Sequence, residues 1–483
     1  MESVQSPSRA RRLLAVALVS ALAPAPALAT SPNPALGTST ASVLAAPPQP
    51  GPATLVRVST SSAGGQAARD SGIYRVGISA DGRYVAFDSY ASNLVAGDTN
   101  GTSDVFVSDV LTGAVERVSV ATGGGQITDG FAIDPDISAD GRYVVFSAYT
   151  SVLTPEPTRN NIGNVFVHDR VARTTTLLTV RQTGASHGHA SISGDGRRVA
   201  YTSSGPHSAS GQGSVIHLWE RDGTGTRRVS VPIAVTGTSP EISDDGRHVV
   251  FSTTAPLVAS DRNGVSDVYL RDIDRGSTER VSAPPGGGDS DDTSNYPAVS
   301  ADGRYVAFVT YADNLVPGDD DQGVVLVDRA RGVIEPMTVS VTGRPVEFSG
   351  YSPSISGDGR YVAFMSADQN LVPDDRNFAG DIFVRDRRRG VTEVLSVAPD
   401  GRLGNGYSWR TAVSRSGRHV VFASDASNLV PGDTNGSRDV FLRYRGPGRR
   451  PPVPAHPSQP PSGPYCPPQP PPSGFHPGPP RLC

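Results

Sequence analysis

The chain has 483 residues, of which 53 are Gly and 42 are Pro, and only 6% are aromatic. The formal net charge of -4, with no clustered basic segment, argues against a nucleic-acid-binding protein, because such proteins concentrate positive charge on one surface. The composition is typical of short strands joined by many turns, so we expect an all-β fold.

The first segment of the chain has the layout of an export signal. Arg9, Arg11 and Arg12 precede an apolar run, and Ala27 and Ala29 form a small-x-small cleavage site. We therefore expect residues 1–29 to be a signal peptide and the protein to be exported, that is, secreted, periplasmic or associated with the cell wall. The apolar run has about half the length of a membrane-spanning helix, so no transmembrane segment is expected after cleavage. Residues 30–53, rich in Ala, Pro and Ser, are expected to be a linker.

One ten-residue phrase recurs seven times after this linker. Its copies, typified by ISADGRYVAF, begin at Ile78, Ile137, Ile192, Ile242, Val299, Ile355 and Val413, at intervals of 50–59 residues. The Asp-Gly pair supplies the positive φ of a tight hairpin, and the residues that follow form a strand that is apolar on both faces. Such a strand must be covered on both sides, as it is between neighbouring blades of a β-propeller.

Each copy predicts a blade of four strands, A to D from the inside outwards. Strands C are predicted at 104–110, 164–170, 215–221, 267–273, 324–330, 381–387 and 439–445, and strands D of the first six blades at 115–119, 175–180, 226–231, 278–283, 334–340 and 392–397. The seventh copy has no strand D after it, but residues 55–59 resemble one. We therefore predict a seven-bladed β-propeller of four-stranded antiparallel blades at 54–445. A 3+1 clasp closes it, with residues 54–60 as the outer strand of the last blade.

The proline-rich segment 446–483 follows the last repeat and is expected to be disordered. It can serve as a flexible extension, a polyproline spacer or a ligand for a partner. Both cysteines of the chain, Cys466 and Cys483, lie in this tail and cannot cross-link the propeller core.

The phrase S-x-D-G-R-x-V-x-F, followed by a strand of the type D-V-F-V-x-D, resembles the repeat of the TolB-type propellers. These are exported relatives of the WD-repeat proteins. The resemblance covers residues 54–445. It implies a propeller that associates with other proteins in the cell envelope.

Four predicted loops between strands B and C share an Asp-x-Asn motif followed by another Asp. These residues are Asp98, Asn100 and Asp104; Asp261, Asn263 and Asp267; Asp375, Asn377 and Asp381; and Asp433, Asn435 and Asp439. Alternating oxygen donors near a Gly can hold Ca²⁺, the one cofactor that the sequence suggests. Asp and Asn are also common turn formers that bind their own backbone, so both interpretations stay open.

The long B–C and D–A connections should emerge together on one face of the ring, the long-loop face, since neighbouring strands are antiparallel. Six aromatic residues just ahead of the inner strands should lie near this face: Tyr74, Phe131, Tyr296, Tyr351, Tyr407 and Trp409. Their rings either stack on a partner or pack against the next blade.

The sequence contains no nucleophile elbow, phosphate loop or dinucleotide motif, so no catalytic residue is assigned. We expect a non-catalytic, monomeric scaffold that binds a protein or peptide partner through the long-loop face, with calcium in the loops as an option. The alternative is a lyase or hydrolase acting on an extracellular polysaccharide with a metal in the propeller channel, since some propellers with similar repeats are such enzymes. Its signature would be His, Asp, Glu or Arg side chains converging at the channel mouth.

Overall fold

A computed structural model of the chain describes residues 54–156, 158–179, 185–208, 211–221, 225–228, 239–316, 323–346 and 350–446. In these ranges 28 strands form seven four-stranded antiparallel sheets, which confirms the predicted seven-bladed propeller. The expected signal peptide, the linker and, beyond Gly446, the proline-rich tail with both cysteines lie outside the described residues.

The strands are numbered in chain order. After β1 (Leu55–Arg57), blade 1 contains β2 (Ser71–Ile78), β3 (Tyr84–Ser89), β4 (Asp104–Asp109) and β5 (Ala114–Arg117); blade 2 contains β6 (Phe131–Ile137), β7 (Tyr143–Tyr149), β8 (Asn164–Asp169) and β9 (Thr174–Leu177); blade 3 contains β10 (Ser186–Ile192), β11 (Arg198–Ser208), β12 (Gly211–Glu220) and β13 (Gly225–Arg228); and blade 4 contains β14 (Glu241–Ile242), β15 (His248–Thr253), β16 (Asp267–Asp272) and β17 (Ser277–Arg280). Blade 5 contains β18 (Ser294–Val299), β19 (Tyr305–Thr310), β20 (Gly323–Asp328) and β21 (Val333–Pro336); blade 6 contains β22 (Tyr351–Ile355), β23 (Tyr361–Ser366), β24 (Asp381–Asp386) and β25 (Val391–Val394); and blade 7 contains β26 (Ser408–Val413), β27 (His419–Ser424), β28 (Asp439–Tyr444) and the first strand, β1.

Strands B and C are buried on both faces. In blade 1, Phe87 and Phe106 stack across the strands with their ring centroids 6.0 Å apart. The same cross-strand pair recurs in blade 2 as Phe146 and Phe166. The opposite faces of these strands carry Val and Ala, which pack against the next blade. The core therefore lies mostly between blades, as the two-sided apolar pattern predicts.

The tight A–B turn is built by the repeated Ser-x-Asp-Gly-Arg segment. In blade 1 the Ser79 hydroxyl donates to Asp81 (2.6 Å), and Asp81 also accepts the backbone N–H of Arg83 (2.9 Å). The Arg83 guanidinium then forms a two-pronged ion pair with Asp109 at the end of strand C (3.0 and 2.7 Å). Equivalent Arg–Asp pairs join Arg142 to Asp169, Arg247 to Asp272, Arg304 to Asp328 and Arg360 to Asp386.

These turns also join each blade to the next. Gly82 has a φ of 81°, and a methyl group there would collide with the ring of His419 from blade 7. In the same way, the Tyr84 ring packs directly against Gly141 of blade 2. Because His419 and Gly82 belong to the last and first blades, this contact closes the ring.

The strand nearest the N-terminus completes the last sheet. Leu55, Val56 and Arg57 pair antiparallel with β28, and the Ser59 hydroxyl donates to Asp439 (2.5 Å). Leu55 packs into the core between blades 6 and 7, while Val56 packs into the core between blades 7 and 1.

Blades 3 and 4 depart from the predicted strand bounds. The predicted third strand at 215–221 is the end of a longer β12, which pairs with β11 as far as Ser208 and Gly211. The inner strand of blade 4, β14, is only two residues long. Outer strands elsewhere are shorter than predicted because the chain turns inwards early, so that Val118 and Ser119 are buried beside strand C.

Candidate binding site at the channel mouth

The inner strands carry a repeated backbone irregularity that faces the channel. Five residues other than glycine have a positive φ at equivalent positions of blades 2, 3, 5, 6 and 7: Asp134 (59°), His189 (49°), Tyr296 (54°), Ser352 (49°) and Arg410 (46°). The strand register shifts beside each of them, as in a β-bulge. Arg75 holds the equivalent place in blade 1, where the register also shifts. We call these six residues the channel mouth.

Such a conformation costs about 1 kcal/mol or more for a residue with a Cβ, and strained residues of this kind cluster at functional sites. Five different residue types occupy this position in the six blades, with Arg in blades 1 and 7, whereas the neighbouring turn segment is almost identical in each. The repeat that builds the blade therefore does not fix the side chain at this position.

Charged side chains converge across the channel around Arg75, the mouth residue of blade 1. The Arg75 guanidinium pairs with Glu241 of blade 4 (2.7 Å), lies 3.6 Å from Asp136 of blade 2 and donates to the Ala190 carbonyl of blade 3 (3.2 Å). Burial disfavours the charge on Arg75, but Glu241 and Asp136 outweigh it and raise the pKa of Arg75. Burial raises the pKa of Glu241, and Arg75 opposes that rise. This cluster joins four blades.

A second ion pair crosses the channel nearer the tight turns. Arg415 of blade 7 lies 3.7 Å from Asp244 of blade 4, and burial raises the pKa of Asp244 while Arg415 opposes the rise. Both residues line a cavity of only about 70 Å³ between the ends of the inner strands. This end of the channel therefore offers little room beside the ion pair.

The mouth itself combines both signs of charge with exposed rings. His189 and Asp134 lie 3.5 Å apart, and Arg410 donates from Nε to the Ile73 carbonyl (3.2 Å). Burial lowers the pKa of Arg410, whereas the nearby Asp134 and Asp88 oppose that effect. The His189 side chain is 54% exposed, and Tyr296 is 52% exposed. The mouth can thus offer charge, hydrogen bonds and an aromatic surface to a ligand.

Asp88 supports this arrangement from strand B. Its carboxylate accepts the backbone N–H groups of Ile73, Tyr74 and Arg75 (3.2, 3.1 and 3.4 Å), and so holds the irregular part of β2. Burial nevertheless raises the pKa of Asp88 to about 6.

The six aromatic residues suggested by the sequence differ in exposure: two are exposed and four are partly buried. Tyr296 and Tyr407 are exposed. Phe131 stacks on Tyr149 (4.7 Å between centroids), and Trp409 lies between Tyr407 (5.7 Å) and the Arg438 guanidinium (4.0 Å).

The last two of these aromatic residues, Tyr74 and Tyr351, are also partly buried. Burial and the neighbouring Tyr90 raise the pKa of Tyr74 to about 12. Tyr351 lies beside Tyr311, whose pKa is raised by burial and by Tyr351. Of the six, therefore, Tyr296 and Tyr407 present the most ring surface to a ligand.

Sequence reasoning missed the charged members of this site. Arg75, Asp134, His189, Glu241 and Arg410 all lie in inner strands, and none of them was assigned to a site from the sequence. Four of them share the position three residues before the start of the repeated phrase, and Glu241 lies one residue before it.

The four predicted calcium loops are built alike, but an arginine enters three of them. In blade 1, Asn100 donates from Nδ2 to Asp104 (2.7 Å), and Arg117 Nη1 lies 3.1 Å from Asp98 and 3.3 Å from Asp104. In blade 4, Arg280 Nη1 lies between Asp261 and Asp267 (3.4 and 3.5 Å), beside Asn263, and in blade 7, Arg57 Nη1 lies between Asp433 and Asp439 (both 3.2 Å), beside Asn435. In the loop of blade 6, with Asp375, Asn377 and Asp381, no arginine of the described part of the chain lies between the carboxylates.

No model of a known protein family and no curated protein matches this chain. Solved structures do match. They include an oligogalacturonate lyase from Vibrio parahaemolyticus (13% identity, 81% of this chain and 93% of that chain, TM-score 0.50) and an oligogalacturonate lyase in complex with manganese (12%, 81% and 96%, TM-score 0.51). TolB from Acinetobacter baumannii also matches, at 18% identity and a TM-score of 0.37, over 60% of this chain and 58% of that one.

The class of protein is thus a seven-bladed propeller of four-stranded blades, the fold that the TolB-like repeat predicted, with TolB proteins among the matching structures. At these identities the similarities show the fold alone. Within the described ranges, no helix has the length and hydropathy to span a membrane.

The channel residues do not fit the manganese of the matched lyase. His189 and Asp134 form a pair, but among the described residues no group of three His, Cys, Asp or Glu side chains is arranged to hold a metal ion. The cationic side chains of Arg75 and Arg410 lie at the same end of the channel. We therefore derive no reaction step through a channel metal.

Proposed function

We propose that this chain is an exported, monomeric scaffold that binds a protein or peptide partner at the channel mouth on its long-loop face. The observation that supports this most is the positive φ of five mouth residues, which carry five different side chains on a repeated backbone. Strained residues of this kind cluster at ligand-binding sites, where the strain holds side chains in place for a ligand.

A peptide suits this surface better than a small molecule. The mouth presents Arg410, a His–Asp pair and the exposed Tyr296, while Arg75 reaches across the channel to Glu241. A chain with alternating charged and apolar side chains can meet all of these groups at once, with aromatic and Arg residues as the main energetic contacts.

The test is peptide selection on the purified chain. A phage-displayed random peptide library is panned against the immobilised protein, and the selected peptides are measured against a His189→Ala/Tyr296→Ala variant. We expect at least tenfold weaker binding, the usual effect of removing a central contact. The matched control is Arg304→Ala/Arg360→Ala on the tight-turn face, which should leave affinity within about twofold. Equal losses in both variants, or selected peptides that ignore the mouth substitutions, would contradict the proposal.

The polysaccharide-acting enzyme stays an alternative prediction, and a specific observation favours it: Arg75 meets Glu241 and His189 meets Asp134 in the channel, as its signature requires. It predicts turnover of an acidic oligosaccharide by the purified chain, lost in the same mouth variant. Panning and turnover use the same protein preparation, so their results separate the two functions.

A further inference from the structure

The four Asp-x-Asn loops differ in the residue of strand D that lies next to their carboxylates. In three of them an arginine of strand D lies opposite the aromatic residue of strand C: Arg117 opposite Phe106, Arg280 opposite Tyr269 and Arg57 opposite Phe441. The register places Val394 opposite Phe383 at the same point of blade 6. Blade 6 thus keeps the carboxylates and lacks the cation.

The residue that supports the arginine changes as well. Arg117 also bonds to Gln126 (3.1 Å), and Arg280 bonds to Asp289 (2.7 Å). The equivalent residue of blade 6 is Leu403, which forms the same isolated bridge, to Val397, that Gln126 forms to Val120. Two apolar residues therefore replace the guanidinium and its third acceptor.

This change leaves a buried carboxylate oxygen without a partner. Asp375 is only 5% exposed, and its Oδ1 has no hydrogen bond or ion pair with any residue of the described ranges. The corresponding Asp98 Oδ1 and Asp433 Oδ1 lie 3.1 and 3.2 Å from an arginine nitrogen. Asp381 is fully buried and binds Asn377 (2.7 Å) and Ser396 (2.5 Å), both of them neutral. A buried, unpaired carboxylate is costly, and a cation removes that cost.

We propose that the Asp375–Asp381 pair of blade 6 binds one hard divalent cation of the Ca²⁺ class, in the place that arginine takes in blades 1, 4 and 7. The groups available are all oxygen donors: Asp375 Oδ1, the Asp381 carboxylate and water for the remaining positions. A partner's guanidinium fits less well, because Leu403 removes the third acceptor that Gln126 and Asp289 supply. A soft metal fits less well too, since no Cys or His lies in this loop.

Asp375 borders an open cavity. It lines about 420 Å³ together with Gln369, Asn370 and Asp374, whose side chains carry further oxygens. The one cation in this lining, Arg376, is exposed and lies 3.5 Å from Asp374. Solvent therefore comes close to Asp375, whose Oδ1 is itself buried.

The test is calcium stoichiometry, measured by isothermal titration with CaCl₂ on the full chain after removal of divalent ions. We expect one Ca²⁺ per chain, with a dissociation constant on the order of 10⁻⁴–10⁻³ M, as in other extracellular modules with few ligands. A Val394→Arg/Leu403→Gln variant rebuilds the blade 1 arrangement in blade 6 and should bind no Ca²⁺. Asp375→Asn, a nearly isosteric change, should weaken binding at least tenfold if the first variant fails to fold.

The matched control is Asp98→Asn in the arginine-containing loop of blade 1, which should still bind one Ca²⁺. No binding to the unaltered chain, four ions per chain, or binding that survives both blade 6 variants would overturn the proposal. The site is distinct from the channel mouth, so peptide binding can fail or succeed independently of this result.

Discussion

At the residue scale, the three arginine-filled loops hold buried charges that depend on one another. Arg117 and Arg280 are both less than 10% exposed and lie between fully or nearly fully buried carboxylates. Each arginine is separated in sequence from its carboxylates by a strand, so the Asp-x-Asn motif alone did not reveal it. Sequence reasoning identified the carboxylates and missed their counterion.

Arg117→Met should therefore destabilise the protein strongly, because it leaves Asp98 and Asp104 buried without a cation. We expect a loss of about 3–5 kcal/mol in the free energy of unfolding, measured by urea denaturation. Arg83→Met is the control, since Arg83 is 38% exposed in its pair with Asp109 and such pairs contribute about 1 kcal/mol or less. Similar losses in the two variants would contradict the claim that an unpaired carboxylate costs more in the buried loop than in the exposed Arg83–Asp109 pair.

A second residue-scale prediction concerns the histidine at the junction of the first and last blades. Burial lowers the pKa of His419 below its usual value, so the unfolded chain binds this proton more readily than the folded chain does. Stability from this group is complete above the unfolded pKa of about 6.5 and falls as pH drops below it, by at most about 1.4 kcal/mol per pH unit.

His419→Tyr removes this proton and keeps a ring against Gly82, since Tyr84, Tyr143, Tyr305 and Tyr361 hold the same place in other blades. Between pH 7 and pH 5 the variant should lose less stability than the unaltered protein, as measured by urea midpoints across that range. An identical pH dependence in the two proteins would exclude His419 as a source of acid lability.

At the scale of strands and turns, the repeated phrase predicted most of the fold. Its Asp-Gly pair indicated the A–B hairpin, and the structure adds the Arg–Asp pairs that fix this hairpin to strand C, as in Arg83–Asp109. The bulges at the channel mouth escaped prediction, because a left-handed Asp134 or His189 follows from the packing of seven inner strands around one axis and not from local preference. The long β11–β12 hairpin was also missed, since its tip has no apolar alternation.

The fit between turns of adjacent blades gives a prediction at this scale. Gly82→Ala both strains a φ of 81° and forces a methyl group into the His419 ring, so we expect a loss of about 2–4 kcal/mol. Gly97→Ala is matched in backbone, with a φ of 75°, but has open space around it and should cost about 1 kcal/mol. Urea unfolding measures the loss of unfolding free energy in both variants. Equal losses would contradict a stabilising contact between Gly82 and the His419 ring.

At the scale of the whole molecule, the ring brings together residues that are far apart in the sequence. Arg75 reaches Glu241, and Arg415 reaches Asp244, only because seven inner strands surround one channel. The sequence predicted the number of blades from its repeats, but not which inner-strand side chains would meet. Which side chains meet depends on the register shifts in the inner strands and on the two-residue length of β14.

The place of β1 can be tested directly, because Val56 is opposite Leu442 in the pairing with β28. Val56→Cys and Leu442→Cys, introduced together with Cys466→Ser and Cys483→Ser, should form an intramolecular disulfide, as paired strands hold such residues within bonding range. Val56→Cys with Phe441→Cys is the control, since Phe441 pairs with Arg57 and packs into the other core. Mass spectrometry of the oxidised protein should find the Val56–Leu442 cross-link in most chains and little of the control. Absence of that cross-link, or disulfides only between molecules, would contradict a ring in which the first strand completes the seventh blade.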